Sequence, residues 1–126
     1  MSLRSPIGRV RGLGSAKEGV SHWWSQRMTA VALVPLTLWF VAAVTSHVGA
    51  DHAEMVAWVG SPVTAGLFIL LIAATFYHAY LGLQVVIEDY FHSEAAKVVI
   101  LVLIKGACFV LALIGVLSVL TLLFEG

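Results

Sequence analysis

The sequence predicts an all-α membrane protein with three transmembrane helices, and three observations carry that prediction. The first is composition. Of 126 residues, 60% are hydrophobic and 11% are charged, whereas soluble domains carry about a quarter charged residues. Mean hydropathy is +0.98. The second is the presence of three apolar runs, residues 28–46, 62–87 and 98–124. Each reaches the roughly 20 residues a helix needs to span a bilayer core of about 30 Å. The third is the position of the aromatics. Trp23 and Trp24 sit just before the first run and Trp58 just before the second, where interfacial tryptophans belong.

Residues 1–27 read as an N-terminal segment on the cytoplasmic (or matrix) side, and residues 28–126 as the membrane anchor. The N-terminal segment holds Arg4, Arg9, Arg11, Lys17 and Arg27 against Glu18 alone. Pro6 and several glycines make it a poor amphipathic helix, so a basic cytoplasmic tail is favoured over a mitochondrial transit peptide. No cleavable signal peptide is expected, because the first apolar run is too long and too late. Pro35 is expected to kink the first helix, as membrane helices tolerate. The first loop, residues 47–61, has no Lys or Arg and carries Asp51 and Glu54. The second loop, 88–97, holds Lys97, with Lys105 a little inside the third helix. The positive-inside rule therefore puts the N-terminus and second loop on the cytoplasmic or matrix side. A bacterial inner (plasma) membrane is expected, ahead of the mitochondrial inner membrane.

Zero net charge gives no reason to expect a nucleic-acid partner. The single cysteine, Cys108, can form no intrachain disulfide and reads as a packing residue. Ala73, Ala74, Ala79 and Gly82 on the second helix, with Gly106, Ala107, Ala112, Gly115 and Ser118 on the third, allow close helix approach. The chain reads as a subunit of a larger assembly.

The most informative stretch is His78–Tyr90, HAYLGLQVVIEDY. An ionisable residue inside a membrane helix is costly and points to a function. His78, Gly82, Val85 and Asp89 lie on one helical stripe, with Asp89 about 16 Å along the axis from His78. His78 reads either as a neutral histidine bonded to a neighbouring helix or as an axial haem ligand. Gly82 would leave room for a flat macrocycle one turn on. No second histidine lies mid-membrane, so a six-coordinate haem would need its other ligand from another subunit. Asp89 and Tyr90 read either as an ordinary polar pair at the boundary or as part of a quinone pocket. In the latter, the Tyr90 hydroxyl donates to a quinone carbonyl and Asp89 orients it or relays a proton. Arg27 either snorkels or supplies a counter-charge to haem propionates or the quinone site. Lys105 is expected to snorkel. His22, His47, His52 and His92 are expected to be solvated or interfacial.

These residues resemble a known family, the small D-type (cytochrome b556) membrane-anchor subunit of succinate dehydrogenase, respiratory complex II. The stronger block is His78-Ala79, Gly82, Gln84-Val85-Val86 and Asp89-Tyr90. The weaker block is Gly19-Val20 followed by Arg27. Where the family often has a His-Asp pair after that glycine, this chain has Ser21 and His22. The resemblance implies His78 as axial ligand to haem b, with the second ligand from the larger cytochrome b anchor subunit. It implies Tyr90 on ubiquinone with Asp89 beside it, and Arg27 near the haem propionates and quinone. It also implies flavoprotein and iron-sulfur partners that oxidise succinate and deliver electrons inward. The chain has no nucleotide-binding glycine motif and no cluster cysteines, so it is not expected to be catalytic alone. Two alternatives stand beside this reading: an anchor of fumarate reductase or another quinone-linked dehydrogenase, and a cofactor-free structural or transporter subunit.

Overall fold

The structure, a computed structural model, describes residues 16–125. They form four helices: α1 (Ala16–Ser46), α2 (His52–Val59), α3 (Pro62–Tyr90) and α4 (Glu94–Glu125). No strand occurs among the described residues. α1 from Gly19 onward, α3 and α4 are each long and apolar enough to cross a membrane. The chain is a multi-pass helical membrane protein. Arg4, Arg9 and Arg11 lie outside the described residues.

α1 has 31 residues, about 46 Å of helix against a core of about 30 Å. It begins twelve positions before the apolar run does. Hydropathy marks where polar side chains stop. The helix itself continues as long as the backbone can bond within it, and residues 16–27 contain no proline to interrupt it. α1 also runs unbroken through Pro35. Most of its half-buried positions, His22, Gln26, Thr29, Leu33, Leu36, Trp39 and Ala43, recur every three or four residues and form an inward stripe, with Ser25 and Ala30 beside it.

α2 occupies what hydropathy reads as a loop. Its cause is local: Asp51 Oδ1 accepts from the Glu54 N–H at 2.8 Å, and Glu54 Oε2 accepts from the Asp51 N–H at 3.2 Å. This reciprocal capping box satisfies two donors that a helix start leaves unpaired. Gly60 closes α2, with its N–H bonded to Val56 O at 2.9 Å. Pro62 then opens α3 in its first turn, where a missing N–H costs nothing. α3 ends where Phe91 turns to extended backbone, its N–H on Ile87 O at 3.0 Å.

α3 is the central helix. α1 packs on one side of it and α4 on the other, while α1 and α4 share no contact among the described residues. The spans therefore form an open layer. Only Ala65, Leu81, Ile87, Val119 and Thr64 are buried among the described residues. Close approach is enforced at two glycines. A Cβ on Gly115 would lie 3.2 Å from two side-chain carbons of Ile72, at the α3–α4 crossing. A Cβ on Gly60 would lie 2.6 Å from Leu122 O, so the α2–α3 turn sits directly against the α4 backbone. Aromatic rings tie this end together. Phe68 meets Trp39, Phe40 and Trp58 edge-on at 5.2, 6.0 and 5.5 Å, and Trp58 stacks on the His47 ring at 3.9 Å.

Candidate functional site

α1 and α3 run antiparallel, and their polar residues meet where the spans cross. His78 Nδ1 lies 2.9 Å from Thr29 Oγ1. One turn further along α3, Gly82 faces α1, and a Cβ there would lie 3.8 Å from Gln26 Nε2. The pairings Thr29–His78 and Gln26–Gly82 fix the register of the two helices.

The Thr29 hydroxyl has one proton. Its oxygen lies 2.8 Å from Ser25 O and 3.0 Å from Gln26 O, backbone carbonyls that can only accept. The proton is committed to α1's own backbone, the usual back-bond of a threonine inside a helix. The hydroxyl therefore meets His78 with a lone pair, and the network assigns the imidazole proton to Nδ1. Nε2 is then the ring nitrogen with the free electron pair, and it makes no hydrogen bond among the described residues.

The remaining candidates are distributed along the same two helices. His78 and Gly82 are half-buried, whereas Val85 and Asp89 are exposed. Tyr90, the last residue of α3, is 76% exposed. Arg27 is exposed, with its guanidinium 5.3 Å from the centroid of the Trp23 ring. No hydrogen bond or ion pair joins Arg27, Asp89 and Tyr90 among the described residues. Glu88 accepts from Gln84 Nε2 at 3.2 Å, an ordinary surface contact. The structure thus brings His78 and Gly82 against α1 and leaves Asp89 and Tyr90 open at the end of α3.

Two α1 side chains share the face of Thr29: His22, read from the sequence as solvated or interfacial, and Gln26, which the sequence did not single out. His22 Nε2 and Gln26 Oε1 are buried and without a hydrogen-bond partner among the described residues. Gln26 falls in residues 1–27, which hydropathy assigns to a polar tail, and Thr29 stands at the start of the first apolar run, where nothing in the local sequence marks it. The spacing of His22, Gln26 and Thr29 (i, i+4, i+7) is the signal that identifies one helical face. His22 is half-buried rather than freely solvated. His47 is likewise engaged, its Nδ1 donating to Ala43 O at 2.7 Å while the ring stacks on Trp58.

No cluster of three or more His, Cys, Asp or Glu side chains able to hold a metal ion exists among the described residues. What the site offers is a single imidazole, held at one nitrogen and free at the other, beside a residue with no side chain. That donor set fits one axial position of a haem. It does not fit a closed metal site. A separate cavity of about 560 Å³ lies between α3 and α4, lined by Phe76, Tyr77, Tyr80, Lys105, Gly106 and Phe109. On α3 these residues lie roughly opposite His78 and Gly82, so this groove is not part of the site.

Three apolar spans, with a half-buried histidine within the middle one, define a multi-pass helical membrane protein. Comparison with known proteins agrees. Residues 1–121 match the model of the succinate dehydrogenase/fumarate reductase transmembrane subunit family. The succinate dehydrogenase hydrophobic membrane anchor subunit of Paracoccus denitrificans is 30% identical over 129 residues, covering 97% of this chain and 100% of that protein. The corresponding subunit of Rickettsia bellii is 31% identical over 103 residues, 82% of each chain. The succinate dehydrogenase membrane anchor subunit of Reclinomonas americana is 30% identical over 92 residues, 71% of this chain and 77% of that one. The chain belongs to the succinate dehydrogenase/fumarate reductase transmembrane subunit family, as a membrane anchor of the succinate dehydrogenase type.

Proposed function

We propose that this chain is the small anchor of a succinate:ubiquinone oxidoreductase, holding one face of haem b through His78 and contributing Tyr90 and Asp89 to the ubiquinone site. The observation that carries the reading is the His78–Thr29 contact at 2.9 Å. It leaves Nε2 with its lone pair inside a membrane span, as an axial ligand requires. When bound, a b-type haem supplies a one-electron redox centre within the membrane.

The chain's own residues divide the remaining work. Gly82 keeps the face beside His78 free of side-chain bulk. Arg27 offers forked donors suited to haem propionate carboxylates. By the Thr29–His78 register it lies within about one helical turn of the histidine's level, whereas Tyr90 is about 18 Å along α3. That spacing favours the propionates over the quinone as its partner. The Tyr90 hydroxyl donates a hydrogen bond to a quinone carbonyl, and the Asp89 carboxylate beside it takes or passes the proton that accompanies reduction. The open layer leaves α3 uncovered along Val85, Asp89 and Tyr90, which suits a site completed by another subunit.

In this reading the second haem ligand comes from the larger cytochrome b anchor subunit. Electrons arrive from an iron-sulfur subunit served by a flavoprotein that oxidises succinate. The complex resides in a bacterial inner membrane, with the N-terminus and the α3–α4 connection on the cytoplasmic side. The test is a reduced-minus-oxidised visible spectrum of the purified complex, wild type against His78→Ala. The expected result is a b-type band in the wild type that is lost or displaced in the variant. An unchanged band reduces His78 to a packing residue.

A further inference from the structure

We infer that Thr29 is the positioning residue of His78: its hydroxyl accepts the Nδ1 proton, fixes the ring's tautomer and plane, and so tunes the haem that Nε2 binds. The inference rests on the haem reading above and adds a residue to it.

Three features of the geometry support it. The acceptor role follows from proton count, since the Thr29 proton already serves Ser25 O and Gln26 O. The contact joins two helices, 49 residues apart in sequence, so the ring is held by a neighbour and not only by its own backbone. Thr29 is itself stiff. A β-branched side chain has few rotamers inside a helix, and its back-bond selects among them. The hydroxyl is therefore presented in a fixed direction, and the imidazole plane is set by α1 rather than by free rotation about χ2.

The chemical consequence is a matter of electron donation. A hydrogen bond accepted from Nδ1–H makes the imidazole a stronger donor through Nε2. Stronger donation favours the oxidised iron, so the Thr29 hydroxyl lowers the haem potential. It also holds the ring against rotation, which governs the magnetic anisotropy of a low-spin haem. Among the described residues no carboxylate or other acceptor reaches Nδ1, so the hydroxyl has no substitute among them.

The experiment compares Thr29→Val and Thr29→Ser in the intact complex, reading haem retention, redox midpoint and low-temperature electron paramagnetic resonance. Valine keeps the volume and branching of threonine and removes the acceptor. Thr29→Val is expected to weaken haem retention by about 10–100-fold, raise the midpoint potential and shift the g values. Thr29→Ser is expected to restore all three. If Thr29→Val assembles with unchanged potential and g values, the inference fails. It also fails if Thr29→Val perturbs the haem and Thr29→Ser does not restore it, since packing would then be the cause. Should Thr29→Val not assemble, an experimental structure of the native complex decides: a separation of Thr29 Oγ1 from His78 Nδ1 beyond about 3.5 Å overturns the inference, and one near 2.9 Å upholds it. His78→Ala separates the two readings. Loss of haem there with a silent Thr29→Val defeats only the role of Thr29, whereas full retention of haem in His78→Ala defeats both.

Discussion

At the scale of single residues, the question is what each side chain of the α1–α3 seam does that a neighbour could not. Gly82 gives a sharp case. A Cβ there would meet Gln26 Nε2 at 3.8 Å, an ordinary contact, so Gly82→Ala leaves this chain's own packing intact. If a macrocycle lies over Gly82, the added methyl meets it directly. Gly82→Ala is therefore expected to assemble normally and lose haem, measured as haem per complex, and normal haem content would show that the glycine is there for helix packing alone. Tyr90 is the second case. It is 76% exposed in this chain, so Tyr90→Phe removes a hydroxyl without disturbing a core. Loss of a hydrogen bond of about 1.4 kcal/mol corresponds to about a tenfold loss of quinone reductase efficiency. The same variant should leave the haem spectrum unchanged, because Tyr90 lies about 18 Å along the helix from His78.

At the scale of elements, the end of the molecule away from Tyr90 is held by contacts that bring backbones together. The α2–α3 turn touches α4 through Gly60, where an added Cβ would lie 2.6 Å from Leu122 O and 2.9 Å from Val56 O. Both are backbone atoms and cannot swing aside. Gly60 has an ordinary right-handed conformation, φ −76° and ψ −5°, so space rather than backbone freedom demands the glycine. Gly60→Ala is expected to destabilise by about 1–3 kcal/mol, the usual cost of overpacking, read as a lower Tm of the complex with an unaltered haem spectrum. Legibility in the sequence varied by element. α3 and α4 were plain from hydropathy because lipid demands an apolar exterior over their length. α2 was not, because eight residues between two spans carry no hydropathy signal. Its signature was instead chemical, an aspartate three residues before a glutamate. The start of α1 was obscured for a related reason: residues 16–27 are largely polar, yet they are helical, and Gln26 among them faces Gly82 of α3.

At the scale of the whole molecule, the fold is an open layer with α3 in the middle, and its orientation is a prediction of charge. The positive-inside rule places residues 91–93 on the cytoplasmic side and residues 47–50 on the opposite side. Cys108 is the only cysteine, so Cys108→Ser gives a clean background. In that background Ser93→Cys is expected to react with a membrane-impermeant maleimide from the cytoplasmic side only. Val48→Cys, at an 81% exposed position, is expected to react from the other side only. The reverse pattern would invert the orientation and place Tyr90 on the wrong side for proton uptake from the cytoplasm.

The sequence by itself determined the class of protein, the number of spans and the candidate residues His78, Asp89, Tyr90 and Arg27. It could do so because a bilayer imposes length and composition on every helix that crosses it, and because a histidine in such a helix stands out against that background. Only the tertiary structure decided which face of α3 meets α1 and which meets α4. It alone revealed that α1 reaches back to Ala16 and that the Thr29 hydroxyl lies 2.9 Å from the His78 ring. Residues 29 and 78 lie on different helices, and nothing in local sequence pairs them. Their meeting depends on the antiparallel register of two spans, which side-chain packing across the whole interface sets, rather than any one motif.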